Sequence, residues 1–575
     1  GYYLNPLVAL YTFPRQMDFN DFMTNYQSLN ANNVMEQNIY ANYHFLSNPN
    51  WVLNKQPKDD RIKRAISSLN INYQLSEKLS FQARASYDYS NKTYEQQHAA
   101  TSNPTNTGDN GRWDYKRLND ELFYADGILN YTDNLTDDIS LTLIAGASIQ
   151  HQQYGVGVSV SSGNDGKLFY ANEFNFQNLP TNVQVNSALS SRVEKQALFG
   201  NAVIGFKDYL FLDIAGRNDY ASTLALTGNE SYFYPSYGVS AIISQMVTLP
   251  QAISFFKVRA SAASVGNEVP FNRINPQNTV TAAGAVNRNT QKPFTDLKPE
   301  LIETTEFGID LRFLNNKIGV DLALYNIKST DQFLSLSAPS GSGYTTYFVN
   351  AGEIVNKGIE MSLTGRIIEK QNLSWTSTFN FTKNTNEVVS IHPDISGLGT
   401  GGGDAVQSRF VAGGSIGDMY IRMHKRDTQG RILLDDNGTP LSTDHELAGN
   451  AEPDFSIGWA NNFTIGDRLT AGFIINGKFG GEVYSHTETM LNGFGVSARS
   501  GAARDAGSVS VNAATESSGA AVSSADPVKW YTALGDRNGI GEPYMYDRTN
   551  IRRTQLSIGY NLDTSSLGIP SEGAN

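Results

Sequence analysis

"LSFQARASYDYS" (residues 79–90) is written by twos. Leu79, Phe81, Ala83, Ala85, Tyr87 and Tyr89 alternate with Ser80, Gln82, Arg84, Ser86, Asp88 and Ser90. Successive side chains on a strand point to opposite faces, so the stretch predicts a β-ribbon with one apolar and one polar side. What the apolar side touches decides the fold.

The pattern recurs along the chain. Ile139, Leu141, Leu143, Ala145, Ala147 and Ile149 form one apolar row, and Phe307, Ile309, Leu311 and Phe313 another. Ile318–Leu324, Ile359–Leu363 and Leu469–Ile475 repeat it. Roughly fifteen such segments are countable, many near the ~10 residues of a tilted membrane strand. Leu198–Phe206 alternates poorly. Helical periodicity is confined to Asp18–Leu29, "DFNDFMTNYQSL".

The connections sort by length. "SEK" (76–78), "DNLTD" (133–137), "KD" (207–208), "VTLPQA" (247–252), "NN" (315–316), "EKQN" (369–372) and "GD" (466–467) are short. Between them lie long stretches: 91–120, 155–192, 218–231, 266–301, 331–353, 386–453 and 483–548. Antiparallel strands place successive connections at opposite ends, so all tight turns fall at one end and all long loops at the other. Outer-membrane barrels have that asymmetry; a soluble sandwich or propeller has no reason for it.

Charge placement agrees. Arg84, Asp88, Asp310, Arg312, Asp321, Glu360 and Arg366 all fall on the polar parity of their segments. An Arg turned into mid-bilayer costs about 2–4 kcal/mol, and a one-residue slip would turn every side chain over. The apolar rows are therefore expected to face lipid and the polar rows a watery lumen.

Composition narrows the function classes. The 575-residue chain carries a net charge of -12 and no Lys/Arg-rich run, which argues against nucleic-acid binding. With no cysteine, disulfides, thiolate zinc sites, iron–sulfur clusters and thiol nucleophiles are all excluded. No run approaches the ~18 apolar residues of a membrane helix. The opening "GYYLNPLVALYTFPRQ" lacks the features of a secretory signal and reads as mid-protein sequence.

The fold expected is thus all-β: a large antiparallel transmembrane β-barrel with long extracellular loops. The expected layout is a loop region and barrel entry over 1–60 and strands over 61–385. A long extracellular loop with its own hairpin follows over 386–453, then strands over 454–482. A second long loop covers 483–548, and a last strand with a truncated end covers 549–575.

Specific phrases then match a family. "NPNWVLN" (48–54), "YFYPSYGVSAIIS" (232–244), "KVRASAASVGNE" (257–268), "LKPELIETTEFGIDLRF" (297–313), "NKGIEMSLTGRI" (356–367), "DFSIGWANNF" (454–463) and "NIRRTQLSIGYNL" (550–562) stand in the family's order. The chain resembles the SusC/RagA family of TonB-dependent outer-membrane transporters of Bacteroidetes. The resemblance implies a barrel of about 22 strands, a plug and a TonB-contacting segment that this stretch does not carry. It implies active import of an oligosaccharide or oligopeptide, a SusD-like surface lipoprotein as lid, paired SusC–SusD assemblies, and TonB as the motor's link. The alternatives are a siderophore or cobalamin receptor of the same mechanical class, and a passive porin or an adhesin.

No enzyme is expected. "GGSIG" (413–417) fits G-x-S-x-G but leads into strand-like "DMYIRMHKR", where a nucleophile elbow needs a helix. "GLGTGG" (397–402) fits G-x-G-x-x-G without a following helix. "DDNGTP" (435–440) reads as an Asn-Gly turn, short of a full calcium-ligand set. No cofactor or metal is expected. The substrate-binding candidates are aromatics in the long stretches: Trp113, Tyr115, Tyr344, Tyr347, Trp530 and Tyr531, whose faces suit sugar rings or peptide side chains. The competing role for each is packing of loop on loop, or a place in the interfacial girdle.

Overall fold

The computed structural model describes residues 5–562, apart from 32, 42–45, 103–106, 164–167, 180–183, 189–190, 275, 281–284, 295, 340, 394, 396, 403–404 and 537. The expected chain end "DTSSLGIPSEGAN" (563–575) lies outside the described residues.

Fifteen strands pair in sequence order into one antiparallel meander. They are β1 Lys58–Gln74, β2 Leu79–His98, β3 Arg112–Thr136, β4 Ile139–Ser161 and β5 Ser191–Phe206. Next come β6 Leu210–Ala221, β7 Ser231–Ile242, β8 Ile253–Asn267, β9 Glu300–Phe313 and β10 Ile318–Thr330. The last are β11 Glu353–Lys370, β12 Leu373–Ser390, β13 Phe455–Ile465, β14 Leu469–Phe479 and β15 Asn550–Tyr560. A short strand, Gln184–Ala188, adds to the far end of β4. The count and the sorting of the connections follow the sequence expectation. At Lys207 and Asp208, φ is +51° and +57°, the left-handed pair that a two-residue hairpin turn demands.

The sheet has no interior of its own. The surface of the whole chain is 33000 Å², against about 20,000 Å² for a compact monomer of this mass. Among the described residues, β1 and β15 each pair on one side only, and both are exposed along nearly all their length.

The two faces differ as the parity predicts. Ion pairs cross from strand to strand on the polar face. Arg84 stands directly opposite Asp126 and holds it at 2.7 Å, and the Tyr124 hydroxyl donates to the same carboxylate at 2.8 Å. Arg64 of β1 pairs with Asp88 of β2, and Arg259 of β8 reaches Asp321 of β10 at 3.1 Å. Within single strands of the same face, Arg312 pairs with Asp310 at 3.2 Å and Arg366 with Glu369 at 3.5 Å. Glu360 shares the parity, opposite Ala323 and Thr382.

The apolar face carries aromatic rows. On β12–β14, Trp375 stacks on Phe463 at 5.6 Å and Phe455 on Phe479 at 4.8 Å. The polar residues Asn461 and Ser377 sit on this face, and each accepts an indole N–H at 2.9 Å, from Trp375 and Trp459 respectively. Asn461 is fully covered. An indole that covers a polar group and also donates to it removes much of the penalty of placing that group toward hydrocarbon.

Three expectations change. β2 and β3 run on to His98 and back from Arg112, so the predicted thirty-residue loop after Ser90 shrinks to 99–111. At 20, 25 and 23 residues, β2, β3 and β4 far exceed the ~10 needed to cross a bilayer. The helix expected over Asp18–Leu29 spans only Phe19–Thr24, because Asn25 caps it and Gln27–Leu29 pairs with Met35–Gln37. Inside the long loop expected to hold its own hairpin, "GLGTGG" is hairpin strand, with Leu398–Gly402 pairing Val406–Phe410.

Candidate functional site at the long-loop end

Three packed assemblies stand on the long-loop end of the sheet. The first joins the chain before β1 to the β2–β3 and β4–β5 loops. A helix, Pro49–Lys55, begins at the Asn48 cap and buries Trp51, whose indole N–H donates to the Ser102 hydroxyl at 2.8 Å. Trp113 is 3% exposed; its indole donates to Glu95 at 2.9 Å, and its ring meets Tyr115 at 5.5 Å and Phe176 at 5.1 Å. Both Trp113 and Tyr115 are strand residues of β3, not loop residues. Nearby His98 is buried, and that burial together with the Arg112 charge pushes its pKa down to about 4.

The second assembly buries Leu224, Val269, Leu297 and Phe348 from three neighbouring loops. A hairpin, Phe333–Ser337 with Thr346–Asn350, stacks Phe333 on Phe348 at 5.0 Å. The Arg273 guanidinium lies over Phe348 at 4.8 Å. Tyr344 and Tyr347 belong here. Both keep part of their surface exposed; Tyr344 lies 6.0 Å from the Arg288 guanidinium, and Tyr347 pairs opposite Leu336.

The third assembly is the largest. The 391–454 loop folds a sheet in which Asp418–His424 pairs with Val406–Phe410 and with Ser442–Asn450. Its short strand Ile432–Leu434 pairs in parallel with Ala513–Thr515 of the 480–549 loop. Around that seam Leu434, Ala513, Trp530, Tyr531, Leu534, Ile540 and Tyr544 form a true hydrophobic core. The helix Pro527–Gly535, capped by Asp526, supplies Trp530, Tyr531 and Leu534. A polar node ties the loops again. Glu542 contacts the His424 ring nitrogen Nδ1 at 2.7 Å and accepts from the His424 backbone N–H at 3.0 Å and from Arg426 at 2.9 Å. The His424 hydrogen bond leads in drawing the Glu542 carboxyl down to about 2. The His424 ring also stacks on Trp530 at 5.5 Å. Arg15, far back in the chain, donates to the Val496 carbonyl at 2.7 Å, so the segment before β1 reaches this assembly.

Trp530 and Tyr531, at 9% and 8% exposure, are core residues here, and Trp113 is equally enclosed. Sequence reading missed His424, Glu542 and the Leu434–Ala513 seam, because no local period links segments on opposite sides of β13 and β14.

The enzyme-like strings resolve into turns. Ser415 donates its hydroxyl to Asn386 at 2.6 Å, and a strand follows. In "DDNGTP", Asp435 accepts the backbone N–H of Asn437 at 2.9 Å and of Thr439 at 2.8 Å, and the Thr439 contact leads in lowering its pKa. The carboxylate is thus engaged by its own turn. Among the described residues no group of acidic and histidine side chains is arranged to hold a metal ion.

A family model described as "TonB dependent receptor-like, beta-barrel" matches residues 5–476. The chain belongs to this family. Among curated relatives, TonB-dependent receptor P3 of Formosa agariphila is 25% identical over 480 residues, covering 75% of this chain and 44% of the relative. TonB-dependent receptor SusC of Bacteroides thetaiotaomicron is 26% identical over 156 residues, 25% of this chain and 15% of SusC. Among solved structures, the RagAB peptide transporter superposes with a TM-score of 0.71 at 14% identity, over 94% of this chain and 60% of that one. Its open-open state gives 0.72 at 15% identity, over 94% and 59%. At such identities the likeness shows the fold alone. The chain spans about half the length of the first curated relatives it matches.

Proposed function

We propose that this TonB-dependent receptor barrel imports a bulky nutrient, an oligosaccharide or oligopeptide, across the bacterial outer membrane, driven through TonB and working with a SusD-like surface lipoprotein. The observation that carries the reading is the one-sidedness of the molecule. All the tight turns lie at one end, and the other end bears three packed assemblies rising from the sheet. A passive pore needs no such superstructure. The polar face, crossed by ion pairs such as Arg84–Asp126, is the wall of the import path.

Within that reading Tyr344, part-exposed beside Arg288, and Tyr347, part-exposed on the same hairpin, offer ring faces to cargo. Tyr115 lies at the edge of the Trp113–Phe176 cluster, and Trp113, Trp530 and Tyr531 hold the surrounding walls. Likeness to a structure described as a peptide transporter favours peptide among the two cargo classes. The test is uptake by cells carrying the full-length protein, with and without TonB. Depletion of oligopeptides or oligosaccharides from the medium that stops when TonB is removed supports the proposal. Uptake that survives that removal makes the protein a porin, and binding without uptake makes it an adhesin. Purification without a SusD-like lipoprotein removes the lid from the account.

A further inference from the structure

Three glycines on the polar face sit beneath long side chains of the neighbouring strand. Gly146 of β4 stands directly opposite Phe199 of β5, Gly308 of β9 opposite Arg259 of β8, and Gly358 of β11 opposite Tyr325 of β10. In each pair the side chain crosses the glycine. A Cβ built on any of the three falls inside 3.0 Å of the ring or the guanidinium. The crossing takes two of the side chains to the strand beyond. Arg259 passes over Gly308 to Asp321 of β10 at 3.1 Å, and Tyr325 passes over Gly358 to Asn384 of β12 at 3.2 Å. Phe199 lies over Gly146 with the Arg217 guanidinium against it at 5.5 Å.

Strand glycine mid-sheet weakens a strand unless something must approach its backbone closely. Here what approaches is a side chain lying along the sheet instead of standing up from it. Counted from the tight-turn end, Gly146 is seven residues from Ile139, Phe199 seven from Phe206, Arg259 six from Ile253, Gly308 five from Phe313 and Tyr325 seven from Ile318; Gly358, on the longer β11, is twelve from Lys370.

We propose that Gly146, Gly308 and Gly358 set the clearance of the import path: at each of them the facing side chain, Phe199, Arg259 or Tyr325, is laid flat on the wall so that elongated cargo passes. This rests on the import reading above. A methyl group at any of the three lifts its partner off the wall and into the bore.

The test is uptake by cells carrying the full-length protein, using fluorescent oligoalanine and maltooligosaccharide ladders of increasing length. In Gly146→Ala, Gly308→Ala and Gly358→Ala, uptake of the longest oligomer accepted by the parent falls about tenfold relative to the shortest. Adding Phe199→Ala to Gly146→Ala, or Tyr325→Ala to Gly358→Ala, restores the ratio to within about twofold. Equal uptake of all lengths by the glycine variants overturns the proposal, as does an equal loss at every length, or failure of the second change to restore the ratio. If the glycine variants do not reach the membrane, Phe199→Ala and Tyr325→Ala on the native glycines decide. Unchanged or longer accepted length supports clearance, and a shorter one overturns it. A parent that takes up neither ladder overturns the import reading, and this inference with it.

Discussion

The sheet and the assembly on its long-loop end are held together by different physics. The fifteen strands have no enclosed core; their specification comes from parity, with an apolar row toward lipid and paired charges on the other side. The 391–454 and 480–549 loops have the reverse. Their parity is irregular, and they are fixed by a buried cluster around Trp530, Leu434 and Tyr544 plus the His424–Glu542–Arg426 node. A membrane strand is thus a local statement in the sequence, and the assembly above it is a global one.

The comparison can be broken by mutations confined to one side. Trp530→Ala removes the largest ring of the loop core and is expected to cost that assembly about 3–5 kcal/mol. Hydrogen exchange should rise across 486–540, and the barrel's resistance to heat in detergent should stay put; melting of both together would refute the separation. On the sheet, Leu324 stands with Phe307 and Ile359 on the apolar face, and its neighbour Ala323 stands on the other. Leu324→Arg is expected to cost about 2–4 kcal/mol in denaturant-monitored folding into bilayers, with Ala323→Arg close to neutral. Equal costs would mean that the faces are wrongly assigned.

Smaller effects sharpen the picture. The Glu542 carboxyl ionises at about 2, against an ordinary 4.5, so the folded loops prefer it charged. The stabilisation is complete above about pH 4.5 and is lost as pH falls toward 2. Exchange protection around His424 should weaken over that window and should lose this dependence in Glu542→Gln. Smallest of all, Gly438 holds φ of +80° in the 435–440 turn, so Gly438→Ala is expected to cost about 1–2 kcal/mol, read as a local rise in exchange and nothing else.

Much of the fold was legible because lipid enforces alternation. "LSFQARASYDYS" lies wholly inside β2 in one register, with Arg84 opposite Asp126. Beyond Ser90 the constraint lapses: "NKTYEQQH" is polar on both sides, yet the strand continues to His98, so its end could not be read. Leu198–Phe206 alternated poorly for a reason that the structure supplies. Leu198 belongs to the apolar face and Phe199 lies over Gly146 on the other, so large apolar groups occur on both parities. The candidate site was less legible. Trp113, Trp530 and Tyr531 were found by residue type, but whether a ring is open or enclosed depends on partners such as Phe176 and His424 that no spacing rule connects.

The parallel seam between Ile432–Leu434 and Ala513–Thr515 bears on assembly in time. Its halves lie on either side of β13 and β14 in the chain, so the seam cannot zip until that hairpin has been synthesised and brought alongside β12. Contacts of such long range are slow to form. The mouth of the receptor is therefore expected to be finished last, after the wall beneath it is already standing.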